Sequence, residues 1–357
     1  MTAQRPTAPH ASEASSRPDR SSAVQAIAES RRIATPAGIE RLEQVEVGDG
    51  DRQWVSIRGR DRRNPVLLVI HGGPGTPLMP LAWACQGPWE DFFTVVNWDQ
   101  RGVGRNASPH ARSALLPSIT AERIVADGEA GVAHLMRTLG HAKVALLGHS
   151  WGSIVAAHLA QRLPGCISVC AGVGQAVSMD FESLILAETL AAAERAGDVE
   201  AVRDLQAIGA ACHAQGRIPL EQVVRLRHHV RRQGGMWTGH PTLDLMNDLA
   251  SLAPEYEDAH VAEFRAGSAW LMGAPLMREL PAIDLRRLGP LQVPLVVLQG
   301  RRDLATPYAA AAAWLEAQQA SAKQLVTFEQ SAHFPMLEEP GRFLEALLRH
   351  VLPHAAA

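Results

Sequence analysis

Gly148-His149-Ser150-Trp151-Gly152 stands between a wholly apolar run, Val144 to Leu147, and an alanine-rich helical stretch, Ile154 to Arg162. A serine flanked by glycines at a strand-to-helix junction describes a turn so sharp that a Cβ on either neighbour would collide. The serine itself must then hold strained dihedrals. Such a turn pushes the hydroxyl into the open, the geometry of a nucleophile elbow. Gly-x-Ser-x-Gly alone arises by accident in short loops, and it gains meaning from the strand before it and the helix after it.

The rest of the chain supplies the sheet this turn requires. Leu42 to Val47 and Gln53 to Ile57, separated by Gly48-Asp49-Gly50, read as a hairpin leading into a larger sheet. Val66 to Ile70, Phe93 to Asn97, Val144 to Leu147 and Ile167 to Ala171 are apolar without alternation, the pattern of strands covered on both faces. Helical spacing over Ala121 to Leu139 alternates with them, which predicts an α/β fold with a mostly parallel, doubly wound sheet and right-handed crossovers. From Met179 to Leu288 the strand signal gives way to Ala-, Leu-, Glu- and Arg-rich helical segments, read as an inserted helical cap. Pro294 to Gln299 and Leu325 to Glu329 restore the strand pattern, and Phe343 to Val351 closes as an amphipathic helix. The expected organisation is a disordered or loosely packed tail over 1–40, core over 41–178, cap over 179–288 and core again over 289–357.

A chain of 357 residues with 46% hydrophobic residues, 20% charged residues and a net charge of -3 suits one large core with an insertion. That balance points to no nucleic-acid or membrane partner. The basic cluster Arg225, Arg227, His228, His229, Arg231 and Arg232 reads as a solvated helix face. The four cysteines, Cys85, Cys166, Cys170 and Cys212, are too scattered for a disulfide framework or a metal hook and are expected as small buried side chains. Residues 1–30 hold no apolar segment of the length a secretory signal needs, and the expected location is cytoplasmic.

A serine hydroxyl at neutral pH needs a base in hydrogen-bond reach and a third group that fixes the base's tautomer. Asp303 follows the Pro294 to Gln299 strand and His333 follows the Leu325 to Glu329 strand. Both therefore sit in loops at strand carboxyl ends, where open parallel sheets place their sites. An isolated loop aspartate is usually a turn former. Residue type, strand-end position and the chain order Ser, Asp, His, which is that of the α/β-hydrolase fold, together favour Ser150 as nucleophile, His333 as base and Asp303 as acid. His149 is the rival base, expected to leave the elbow in another direction and to pack, and Asp180 is the rival acid. The oxyanion donors are expected from the backbone N–H of Trp151 and of Gly73, with Gly72 as the alternative, in the loop His71-Gly72-Gly73-Pro74-Gly75. That loop lacks the Lys-Ser/Thr of a phosphate-binding loop.

His71-Gly72-Gly73-Pro74-Gly75, Trp98-Asp99-Gln100-Arg101-Gly102-Val103-Gly104-Arg105, the Ser150-Trp151-Gly152 elbow and the loops around Asp303 and His333 together resemble the prolyl aminopeptidases, or proline iminopeptidases, over roughly residues 40 to 178 and 288 to 350. The resemblance implies the α/β-hydrolase fold and hydrolysis through an acyl-enzyme, with no metal or organic cofactor and a small-molecule or short-peptide substrate. Members of that family resemble one another in cap glutamates, set in a Trp-Glu-Gly context, that bind the substrate's amino terminus. Here that context is absent, and Glu255, Glu257 and Glu263 read as helix surface. Trp237, Tyr256, Phe264 and Trp270 read as pocket lining or as packing of the cap. The expected activity is that of a peptidase or amidase. A carboxylesterase or lactonase with the same residues is the alternative, and a ligand-binding protein on a hydrolase scaffold the reading from another class.

Overall fold

A computed structural model describes residues 19–108, 110, 112–178, 182–215 and 220–356. The strands are β1 (Ile39–Glu46), β2 (Arg52–Gly59), β3 (Val66–Ile70), β4 (Thr94–Trp98), β5 (Val144–His149), β6 (Ile167–Val173), β7 (Leu295–Gly300) and β8 (Lys323–Phe328). They form one sheet in the order β1-β2-β4-β3-β5-β6-β7-β8. The β1–β2 and β2–β4 pairs are antiparallel, and every pair from β4–β3 to β7–β8 is parallel. All residues of β3, β4, β5, β6 and β7 are buried, as expected for strands with helices on both faces. The edge strand β1 carries exposed Glu40 and Arg41, charges that discourage pairing with another chain.

The helix expected over Ala121 to Leu139 has those ends: Thr120 caps its first turn through Arg123 N–H, and Gly140 closes it in a left-handed conformation at φ 74°. The closing segment is less regular than its pattern. An α-helix over Pro340–Ala346 passes into a π-helical turn over Leu347–Val351 before Leu352–Ala355. Pro353, which has no N–H to donate, lies in the last of these. Phe343, Ala346, Leu347 and Val351 still form one buried stripe.

The reading of residues 1–40 as a loose tail is corrected from residue 19 onward. Arg20–Ser30 is a helix capped by Asp19, and β1 begins at Ile39. None of the helix's residues is buried, so no apolar pattern announced it. It is held at its ends by charge: Arg20 Nε donates to Ser251 O at 2.7 Å, and Arg31 meets Glu90 at 2.9 Å and Glu255 at 3.2 Å.

The chain leaves the sheet after Ser178, which pairs with Asp284 where it returns. Between them lie the helices Glu182–Ala196, Val199–Gln215, Leu220–Arg232, Asp244–Ser251, Asp258–Ala266 and Pro275–Glu279. The first three share a small core around Ile185, Ala193, Leu205, Ile208, Leu226 and Val230, into which Ala305 of the main domain packs. Part of the basic face of Leu220–Arg232 is paired within the cap, where Arg225 and His229 meet Asp204 and Arg232 meets Asp198 and Glu200, while Arg227 donates to Ala305 O of the main domain at 3.0 Å. Cys85, Cys166 and Cys170 are free thiols, and burial pushes Cys85 and Cys170 up to about 12, which leaves them unreactive. Among the described residues no helix is long and apolar enough to cross a membrane.

Candidate active site

Ser150 lies between β5 and the helix Trp151–Arg162 with φ 54° and ψ -122°, one of only two non-glycine residues at positive φ among those described. The glycines around it have no room for a side chain. A Cβ on Gly148 would lie 2.3 Å from Gly152 O, and one on Gly152 would lie 2.1 Å from Ile70 O. Ser150 N–H donates to Val173 O at 2.9 Å, and Ser153 Oγ donates to Ser150 O at 2.6 Å, so the strained residue is tied on both sides. Its own position remains half-buried, whereas Trp151 is fully enclosed.

Asp303 and His333, thirty residues apart in the chain, meet with His333 Nδ1 donating to Asp303 Oδ2 at 2.8 Å. Both are buried, at 1% and 3% exposure. The carboxylate is further surrounded by donors. Oδ1 accepts Ala305 N–H and Thr306 N–H at 2.8 Å each, and Oδ2 accepts Thr306 Oγ1 at 2.7 Å and Gln299 Nε2 at 3.1 Å. This arrangement holds the proton on Nδ1 of His333 and leaves Nε2 to accept one. His149 lies beside it with ring centroids 4.6 Å apart, and His149 Nε2 donates to His333 O at 2.9 Å. Burial, and then the His333 ring, hold His149 well below the usual histidine value, so the ring is neutral and its Nε2 proton is engaged. The rival acid, Asp180, lies outside the described residues.

The glycine loop after β3 presses against the elbow. A Cβ on Gly72 would lie 2.8 Å from Ser150 Cβ and 3.0 Å from His149 O. Gly73 has φ 111°, and among the described residues its N–H meets no acceptor. Trp151, as the first residue of its helix, has no intrahelical acceptor for its own N–H. The loop is fixed by side chains of the β4 end. His71 Nε2 accepts Gln100 N–H at 3.1 Å, its Nδ1 donates to Gly72 O at 2.9 Å, and burial lowers it to about 4, so this imidazole is neutral. Gln100 Nε2 donates to His71 O at 2.8 Å while its Oε1 accepts Trp151 Nε1 at 3.2 Å. One buried amide thus joins the loop of Gly73 to the helix of Trp151.

Residues 66–346 match the model of a family described as the alpha/beta hydrolase family. This chain belongs to the alpha/beta hydrolase family. It is 29% identical over 331 residues to a probable aminopeptidase of Bacillus subtilis, covering 90% of this chain and 99% of that protein. It is also 26% identical over 303 residues to a proline iminopeptidase of Neisseria meningitidis, covering 81% and 89%. The solved proline iminopeptidase of Mycobacterium smegmatis shares the fold at a TM-score of 0.64 with 21% identity, over 88% of this chain and 99% of that one. With these relatives, the protein is an enzyme of the hydrolase class.

The hydrolase's cap uses its prominent residues for attachment. Glu255 pairs with Arg31, Glu263 with Arg112, and Glu257 caps the helix Asp258–Ala266 from an exposed position. Tyr256 is buried at the cap–core junction, its hydroxyl donating to Asp99 Oδ2 at 2.5 Å. Trp237 packs on Phe334, Phe264 joins the core beneath the cap, and Trp270 carries the Arg112 guanidinium on its face, so these aromatics are packing. Glu188, on Glu182–Ala196, differs from them. It is half-buried without an ion pair among the described residues, and burial together with the Asp303 carboxylate raises its pKa. Nothing in the sequence around Glu188 marks it. Gln100, by contrast, stood inside the Trp98 to Arg105 motif and could have been singled out as a buried amide there.

Proposed function

We propose that this enzyme is a serine hydrolase working through an acyl-enzyme, most closely suited to release of an N-terminal residue, proline above all, from a small amide or short peptide. The observation that supports the reading is the 2.8 Å bond from His333 Nδ1 to a fully donor-surrounded Asp303, and the positive φ of Ser150 on the sharp turn after β5 is consistent with it. Ser150 Oγ attacks the scissile carbonyl carbon as its proton passes to His333 Nε2. The oxyanion takes the N–H groups of Gly73 and Trp151, each such donor contributing about 3 kcal/mol to the barrier reduction. The C–N bond then breaks, the leaving amine takes the proton from Nε2, and a water molecule repeats the sequence on the acyl-enzyme.

The aminopeptidase side of the reading rests on the named relatives and on Glu188. A cap carboxylate that feels the Asp303 charge and has no ion pair among the described residues suits the ammonium group of a free amino terminus, which would also favour its ionised form. Fold and catalytic residues do not by themselves fix the leaving group, and ester or lactone cleavage is the alternative. The test is parallel turnover of a proline anilide and a short-chain nitrophenyl ester by wild type and Ser150→Ala. Anilide cleavage that Ser150→Ala abolishes supports the peptidase. Cleavage of the ester alone moves the function to esterase, and activity that survives Ser150→Ala removes the serine mechanism.

A further inference from the structure

The loop that carries His333 is held by a side chain no part of the mechanism uses. Glu338 ends the short helix Pro335–Glu338 and turns its carboxylate back on the loop. Ala332 N–H donates to its two oxygens at 3.1 and 3.0 Å, and Phe334 N–H donates to Oε1 at 3.0 Å, so the amides on either side of His333 end on one group. Oε2 also accepts Thr238 N–H, from the cap, at 2.9 Å. The same cap segment supplies the remaining contacts. His333 N–H donates to Met236 O at 3.1 Å, and Leu304 N–H, adjacent to Asp303, donates to Gly235 O at 3.0 Å. Gly235 passes so close that a Cβ there would lie 2.4 Å from Leu304 Cβ. Main-chain bonds from three of the four cap residues Gly235 to Thr238 therefore reach the acid loop and the base loop together.

We propose that Glu338 is a positioning residue that fastens the cap strap Gly235–Thr238 to the His333 loop, so that the docked cap and the correctly placed base are one state. Removing the carboxylate leaves three buried or half-buried amides seeking acceptors, and the loop and strap must shift to satisfy them. A displacement of about 1 Å at a reacting group costs on the order of 100-fold in rate, while the pocket that binds substrate need not change.

The kinetic part of the test rests on the serine-hydrolase reading, and the exchange part does not. A fluorophosphonate probe is reacted with full-length wild type, Ser150→Ala, Glu338→Ala and Glu338→Gln, and the maximal rate of modification is separated from probe affinity. Wild type is expected to react and Ser150→Ala not to. Glu338→Ala should lower the maximal rate about 10- to 100-fold with affinity nearly unchanged, and Glu338→Gln, which keeps one acceptor oxygen, should recover part of it. In the unreacted proteins, amide hydrogen exchange should rise in 234–240 and 330–336 together in Glu338→Ala, with β3 and β5 unchanged. An unchanged maximal rate, or faster exchange in only one of the two segments, overturns the proposal. Failure of wild type to react overturns the serine mechanism instead, and the exchange pattern still decides the strap. If Glu338→Ala loses its fold, shown by faster exchange in β5, Glu338→Gln alone carries the comparison.

Discussion

Four donors and a histidine surround the Asp303 carboxylate, and every one of them presents a hydrogen to it. An amide in that place must turn its NH₂ toward donors whichever way it flips. Asp303→Asn is therefore expected to cost both about 1–3 kcal/mol of stability and, through the wrong histidine tautomer, on the order of 10⁴ in kcat. Chemical denaturation and turnover of whichever test substrate is cleaved check the two separately. A nearly normal rate would point back to Asp180 as the acid. Asp303 was legible in the sequence because a strand and a histidine in the right order surrounded it. Thr306 and Gln299 were not, since nothing local says that a threonine three residues on or a glutamine four residues back turns toward the same oxygen.

At the scale of elements, the elbow is a packing problem with main chain on every side. A Cβ on Gly152 meets Ile70 O at 2.1 Å and His71 O at 2.6 Å, atoms of β3 and its loop that cannot move without opening the sheet. Gly152→Ala should destabilise by about 3 kcal/mol or more, seen as insolubility or a sharply lowered Tm. Gly131, in the middle of the helix Ala121–Leu139, has nothing within 4 Å of a built Cβ. Gly131→Ala should raise stability by about 0.5–1 kcal/mol. The two substitutions separate a glycine required by close approach from one that merely occupies a helix, a distinction that the strand-turn-helix pattern around Ser150 already carried. The helix Arg20–Ser30 carried no such pattern, because the charges that hold it belong to Glu90 and Glu255, far along the chain.

At the scale of the molecule, the contacts that attach the cap to the core include the strap over His333 and Tyr256 over Asp99. Asp99 is fully buried, Oδ1 meets no donor among the described residues, and burial raises its pKa to about 7 against the pull of Arg105 N–H, the Tyr256 hydroxyl and the Arg105 guanidinium, with Glu255 adding to the rise. A carboxyl with a raised folded-state pKa favours folding fully below its unfolded value near 4, and that contribution is lost as pH rises through about 7. The stability of Asp99→Asn relative to wild type should therefore increase by about 3 kcal/mol between pH 5 and pH 8. Urea unfolding at the two pH values measures it. A difference that does not change with pH would mean that Asp99 is ionised throughout.

By itself the sequence determined the buried strands, the elbow and the order of its polar residues, because unbroken apolar runs and flanking glycines encode burial and turn geometry within a few neighbouring positions. The tertiary structure alone decided which side chains complete the site. His149 meets His333 across 184 positions, Tyr256 meets Asp99 across 157, and Glu338 meets Thr238 across 100. Such contacts depend on where the sheet order and the cap insertion bring distant segments together, and no local periodicity records that.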